Sequence, residues 1–221
     1  SVIGDVMIIY FIALAITLVL CRYKSADSVL PNGEHAQYFK GSKSAFLVLL
    51  PLILVAIFRW DVGVDSEYGE GYWNAFQAAK YISNIRDFEI GFFYLTVILA
   101  RVGVSYWVYL SLISLLFMGF ISYAINRGSI WASCSILVFF LLIVYFDSYN
   151  SLRQTLAEAL SLIAWANMCD ESPSRRKDSH NIFLFLLAST LHTTALINIP
   201  IYLICKVRFD QKNLLLFSIL A

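Results

Sequence analysis

The chain has 221 residues, of which 60% are apolar and only 14% charged, and its net charge is +1. Soluble domains carry about a quarter charged residues, so this chain could not cover its surface with polar groups and must present much of it to lipid. The near-neutral balance offers nothing to a nucleic acid. The three histidines (His35, His180, His192) and four cysteines (Cys21, Cys134, Cys169, Cys205) show no ligand spacing and no CxxC pair. No metal and no cofactor is therefore expected.

A membrane span needs about 20 apolar residues at 1.5 Å rise each. Apolar runs occur at 6–21, 45–58, 90–104, 106–125, 130–146, 151–168 and 182–205. The expected fold is all-α: a polytopic integral membrane bundle of about six to eight embedded helices, forming one transmembrane domain over 1–221. Tyr, Phe and Trp reach 16%, which suits two membrane–water interfaces. The first run lacks a basic leader and a small-residue cleavage site, so it reads as a retained span. No initiator Met is present and residues 214–221 end inside an apolar stretch, which reads as a fragment of a longer chain.

Lysine and arginine in short loops set orientation. Loop 22–44, with Arg22, Lys24, Lys40 and Lys43, and loop 169–181, with Arg175, Arg176 and Lys177, are placed in the cytoplasm. Segment 59–89 then falls outside, as an extracytoplasmic loop. The two assignments agree only if one intervening run does not cross. Run 90–104 is the short one; it contains Arg101 and reaches Gly103, so it is expected to stay on the outer side. Arg59, Asp65, Glu89 and Arg153 then share the outer face. Within the loop, Tyr72, Phe76 and Ala79, with Ile82 or Ser83 next, follow helical spacing over 70–88. Trp73 suits headgroup depth, so an interfacial helix is predicted there.

Four stretches can carry chemistry. Arg59-Trp60-Asp61-Val62-Gly63-Val64-Asp65-Ser66-Glu67-Tyr68 follows a span directly. Its arginine presents a planar fork of donors to phosphate oxygens, and Asp65 suits a base or a sugar-orienting group. The plain alternative is an arginine that anchors a span end beside a solvated acidic loop. In Asn150-Ser151-Leu152-Arg153-Gln154-Thr155, Asn150 or Ser151 would cap a helix whose first turn carries Arg153 and Gln154. A cation opposes the dipole there, and makes sense if both side chains face a bound anion. Glu158 lies off that face and, as an intramembrane carboxylate, would face the bundle interior or a wet cavity; a structural role suits it better than catalysis. His192-Thr193-Thr194 sits inside run 182–205, with Pro200 placed to kink or divide that helix, and His192 suits proton transfer near neutral pH. Glu89 begins the run at Ile90 and by itself reads as an acid facing a helix N-terminus.

Together, in order, Arg59…Gly63…Asp65…Tyr68, Glu89-Ile90-Gly91-Phe92, Leu152-Arg153-Gln154-Thr155-Leu156-Ala157 and His192-Thr193-Thr194-Ala195-Leu196-Ile197 with Pro200 resemble the EpsG family of bacterial polysaccharide polymerases, a branch of the Wzy-type polymerases. The resemblance spans roughly residues 45 to 205, and Glu158 departs from it. It implies a metal-independent glycosyltransferase of the bacterial inner membrane, with its site facing the periplasm or cell exterior. Such an enzyme joins undecaprenyl-pyrophosphate-linked oligosaccharide repeat units into O-antigen, capsule or exopolysaccharide, in the bilayer and beside a chain-length regulator. Asp65 and His192 would be the catalytic candidates, with Arg59, Arg153, Gln154, Tyr68 and Glu89 binding substrate. Base and binder stay unassigned between Asp65 and His192. A lipid-linked oligosaccharide flippase would use the same arginines, with Glu158 and His192 as a proton relay; the paired repeats common in carriers are not seen. An O-antigen ligase-like transferase is the nearer alternative.

Overall fold

Helix α1 (Val2–Lys24) ends on the basic residues Arg22 and Lys24. It is apolar all round, and Ile8, Ile9, Phe11, Ile12 and Ile16 stay exposed along it, as a lipid-facing surface requires. The computed structural model describes residues 2–29, 35–39, 43–59, 62–66, 69, 71–81, 88–169 and 175–206, the side chains of 2–6, 64 and 175–177 excepted. Two described helical stretches, Met7–Lys24 and Tyr106–Gly128, are long and apolar enough to cross a bilayer.

The loop after α1 departs from the all-helical expectation. Strands β1 (Ser25–Val29) and β2 (His35–Phe39) pair antiparallel, with Ser25 opposite Phe39. Ala36 and Phe39 are buried, the Gln37 N–H donates to the Ile130 carbonyl at 2.8 Å, and Gln37 Oε1 accepts from the Ser133 hydroxyl at 2.5 Å. Docking on the distant stretch Ile130–Ser133 gives the hairpin partners that its short, polar strands could not supply alone.

Helix α2 (Ser44–Ile57) returns alongside α1 and delivers Arg59 just past its end. Helix α3 (Gly71–Ala79) buries Tyr72, Phe76 and Ala79, the face its spacing predicts; Ile82 and Ser83 lie outside the described residues. Helix α4 (Ile90–Val102) stops at Gly103, whose left-handed φ of 86° suits glycine. Helix α5 (Tyr106–Gly128) starts at Ser105, whose side chain accepts the Val108 N–H at 3.3 Å, and lies between α2 and α8 (Leu152–Met168).

Both ends of α4 sit at one end of the bundle. Glu89, before it, touches the first turn of α8, and Gly103 leads directly into α5, whose Tyr106 hydroxyl donates to the Ser66 carbonyl at 3.0 Å. Phe92, Val97 and Ala100 share a buried cluster with the α3 aromatics. The segments flanking α4 on either side thus both contact residues near the start of α8 and the Val64–Ser66 turn.

Two apolar runs prove to be broken. Run 130–146 forms α6 (Ala132–Leu141) and α7 (Val144–Asp147), divided at Ile143 with φ 66°. A β-branched residue is strained there. The turn lets Tyr145 donate to the Leu52 carbonyl at 2.8 Å and packs Tyr149 beside it.

Run 182–205 is a hairpin, not one helix. Helix α9 (Arg175–Leu191) already contains the basic residues expected in a loop, and the chain reverses at His192. It returns through a 3₁₀ segment (Thr193–Ile197) and α10 (Asn198–Lys206). Lys206 Nζ lies 2.6 Å from Asp178 Oδ1, and the Tyr202 hydroxyl donates to that same oxygen at 2.6 Å, closing the far end. The break falls at His192 and not at Pro200, which occupies the first turn of α10, where a missing N–H is tolerated.

Candidate active site

Glu89 is extended (φ −63°, ψ 149°) at the start of α4 and does not cap its own helix. Its expected role as a lone dipole partner is replaced by a bridge. Oε2 accepts from Arg153 Nη1 at 2.8 Å, Oε1 lies 2.7 Å from His192 Nδ1, and Oε1 also accepts the Thr193 N–H at 3.2 Å. The His192 N–H axis is not aimed at the oxygen, so this contact is an ion-pair distance rather than an aligned hydrogen bond. Burial alone would push the Glu89 carboxyl up; its own N–H, the Thr193 N–H, Arg153 and His192 outweigh that and hold it below the usual carboxylate value.

Local structure explains why these groups meet. The reversal after α9 lifts His192 out of the helix and leaves the Thr193 N–H free to bond sideways. Gly91 lets α4 approach α9: a Cβ there would overlap the Thr190 hydroxyl and stand 2.8 Å from the Thr190 carbonyl oxygen. Gly91→Ala is accordingly expected to cost about 1–3 kcal/mol, the range for overpacking. Thermal unfolding of the purified protein in detergent measures this, and an unchanged midpoint would contradict the close contact.

Arg153 stands in the first turn of α8, where its dipole-opposing charge was expected to face an anion. The anion present is the Glu89 carboxylate. Its guanidinium lies 4.9 Å from the centre of the Phe88 ring, and its backbone N–H points at the Tyr72 hydroxyl at 3.5 Å. Ser151 occupies the cap position, yet its side chain makes no capping bond; its carbonyl accepts from the Thr155 N–H and hydroxyl instead, both at 2.9 Å. Gln154 turns away and donates to Glu158 at 2.8 Å, both side chains being exposed. Glu158 therefore does not face the bundle interior, because that helix face is already filled by Leu156, Ala157 and Leu160.

Arg59 sits apart from this cluster. It is only 7% exposed, and its Cζ lies 4.3 Å from the centre of the Tyr149 ring. Among the described residues none of its three guanidinium nitrogens has a hydrogen-bond partner. Burial pulls its pKa down, and the surrounding tyrosines Tyr149, Tyr106, Tyr10 and Tyr145 push back. A buried cation left without a counterpart costs several kcal/mol. Arg59 lines a cavity of about 430 Å³ between α1 and the end of α2.

Asp65 lies exposed in the 3₁₀ turn Val64–Ser66. The turn is held from below: the Ser66 hydroxyl donates to the Tyr149 carbonyl, and Gly63 (φ 105°) passes against that same carbonyl. Asp65 forms no ion pair with Arg59 among the described residues, and Tyr68 lies outside them. The sequence-predicted residues thus divide into a contacting set (Glu89, Arg153, His192), a separate buried arginine and an exposed aspartate.

Sequence reasoning missed the tyrosines beneath these groups. The i, i+4 pair Tyr145/Tyr149 and the i, i+3 pair Tyr106/Tyr109 were the available signal. Tyr106 and Tyr109 stack with centroids 5.9 Å apart. Among the described residues no group of three or more His, Cys, Asp or Glu could hold a metal ion. A larger apolar cavity of about 640 Å³ lies at the opposite end, between α5, α6 and α8, with no charged residue in its lining.

A model of the EpsG family matches residues 44–221, a stretch that includes the whole Glu89–Arg153–His192 cluster and Arg59. The chain belongs to the EpsG family. No curated protein and no solved structure matches it. EpsG membership suggests a role in polysaccharide biosynthesis and, with the two span-length helices, agrees with a helical membrane protein. The match begins at α2, so the EpsG core here holds every described candidate residue while α1 and the β-hairpin lie before it.

Proposed function

We propose that this EpsG-family chain is a polysaccharide polymerase. It works at the outer face of the bacterial cytoplasmic membrane and transfers glycan from an undecaprenyl-pyrophosphate carrier to a second lipid-linked repeat unit. The observation that carries the reading is one carboxylate, Glu89, bridging a guanidinium and an imidazole, with Oε2–Arg153 and Oε1–His192 separations of 2.8 and 2.7 Å. Contact with Glu89 fixes the Nδ1 side of His192 and leaves Nε2 to take a proton.

The acceptor hydroxyl oxygen forms its bond to the anomeric carbon of the donor sugar, and its proton passes to His192 Nε2. The bond from that carbon to the diphosphate oxygen breaks, and the electron pair leaves with the diphosphate. Arg153 faces the negative charge that develops there, and Arg59 adds a second cation at the same end. His192 is favoured over Asp65 as base because it lies beside Glu89 and Arg153 in a partly buried cluster, whereas Asp65 stands exposed on a turn. Asp65 is then the group placed to hold a sugar hydroxyl at the rim.

Reconstitution in proteoliposomes with lipid-linked repeat units tests the reading. The expected result is a ladder of lengthened glycans on the carrier lipid. Translocation of single repeat units without elongation would instead identify a carrier.

A further inference from the structure

Helix α8 leaves one narrow stripe uncovered. Gln154, Glu158, Leu162 and Cys169 are exposed along it, and Trp165 is partly so. Steps of four and three residues keep these positions on a single face, as in the seam between two packed helices. At 1.5 Å per residue the stripe runs for about 22 Å. Its depth is set by α5. Leu152 shares a cluster with Tyr106, Tyr109 and Leu110 at the start of α5, and Ala166 meets Gly128 at its end, where a Cβ would stand 2.9 Å from the Ala166 Cβ. Glu158 precedes Ala166 by about 12 Å of helix, so it lies beside the middle of a helix long and apolar enough to cross a bilayer. An exposed carboxylate at that depth is costly and calls for a polar counterpart.

Among the described residues, the side chains of Gln154 and Glu158 bond only each other, from Gln154 Nε2 to Glu158 Oε1 at 2.8 Å. This leaves one amide N–H to give and carboxylate Oε2 to receive. Donor and acceptor stand side by side, so the pair is complementary to itself. Below it, Leu162, Trp165 and Cys169 border the cavity of about 640 Å³ whose lining carries no charged residue. A hydrophilic ligand finds little to bond there, whereas the apolar side chains of an apposed helix fill the space. We infer that this face of α8 is a contact surface for a second copy of the chain, with the two α8 helices parallel. Copies inserted in the same orientation place equal-numbered residues at equal depth, and a two-fold axis along the membrane normal makes the exchange reciprocal. The spare N–H of each Gln154 then bonds Oε2 of the partner's Glu158, as polar side chains join helices within membranes. An unlike helix would need its own donor at that depth; an identical one brings it.

The test uses the full-length protein in phosphatidylcholine vesicles, without substrate, so that its outcome is independent of polymerase activity. Association is followed by energy transfer between labelled copies as the protein is diluted in lipid, and by oxidative cross-linking. A reversible dimer is expected, and protein retaining Cys169 as its only cysteine is expected to cross-link to itself. Ile163→Cys in an otherwise cysteine-free chain is not, because Ile163 packs against the protein's own core. Glu158→Leu is expected to weaken association by about fivefold or more, the scale of interhelical hydrogen bonds in membranes. Leu162→Trp, which crowds the seam without touching the polar pair, is expected to do the same and covers the case in which leucine contacts replace the lost bonds. Single copies at every dilution overturn the surface, as do unchanged association in both variants and equal cross-linking at positions 163 and 169. In cell membranes, Cys169 joined to an unlike protein and never to its own copy overturns the second-copy assignment.

Discussion

Replacing His192 by alanine is expected to lower glycan elongation by about 10²–10⁴-fold, the range for loss of a positioned general base. The protein should remain in the membrane at its normal level. His192 stands at the reversal between α9 and the following 3₁₀ segment, not within a packed helix, and it is not fully buried. Its removal leaves Glu89 the Arg153 contact at 2.8 Å and the Thr193 N–H at 3.2 Å, so the carboxylate is not abandoned. The measurement is glycan length in cells whose native copy has been replaced. Single repeat units on the acceptor are expected in place of long chains. Normal chain length in His192→Ala protein would remove imidazole from the mechanism. Glu89→Gln separates positioning from proton transfer: it keeps the shape, loses the charge that faces Nδ1, and should shift the pH profile of elongation as well as its rate. A Glu89 that served packing alone would leave the profile where it was.

Arg153→Ala is the second large effect, expected to cost about 10²–10³-fold, comparable with removal of one donor from a preorganised anion site. Two consequences add. The developing diphosphate charge loses its guanidinium, and Glu89 keeps only the His192 and Thr193 contacts of its Oε1 among the described residues. Lysine is not an adequate substitute, because the site uses a planar group that lies over Phe88 at 4.9 Å while donating edge-on to Glu89. Elongation assays on reconstituted Arg153→Ala and Arg153→Lys proteins check this. Full activity in the lysine variant would show that charge suffices and that the fork geometry is irrelevant.

Much of the local architecture could be read from the residues. The start of α4 after Glu89 and its end at Gly103, the start of α8 beyond Asn150-Ser151, and the buried Tyr72–Phe76–Ala79 face of α3 all fall where polarity breaks and helical spacing place them. These are near-neighbour effects, and periodicity reports near neighbours. The site joins residues far apart in the chain, with separations of 64 positions for Glu89–Arg153 and 104 for Glu89–Thr193, about which spacing says nothing. The breaks were hidden for a different reason. Ile143 adopts a left-handed φ of 66° that its own propensity opposes, so packing of Tyr145 and Tyr149 decides it. Leu191 to Ile197 contain neither Gly nor Pro, so the reversal at His192 looks like the middle of a continuous apolar run. Arg59 stood out in the sequence as a charge at a span end, but its burial against the Tyr149 ring did not, since no local rule foretells a stack between residues ninety positions apart.

The hairpin formed by α9 and α10 also bears on the bilayer around it. Its uncharged, mostly apolar portions, roughly Ile182–Leu191 on one arm and Ala195–Cys205 on the other, are about ten residues each, or about 15 Å of helix. Hydrocarbon cores are about 30 Å thick. A hairpin of this length seated in a bilayer would require the membrane beside it to thin or to draw headgroups inward toward its polar ends. The imidazole at the hairpin tip would then lie under a shallower oily layer than a full-length span creates, and on the proposed function a hydrophilic sugar would have less hydrocarbon to skirt in reaching it.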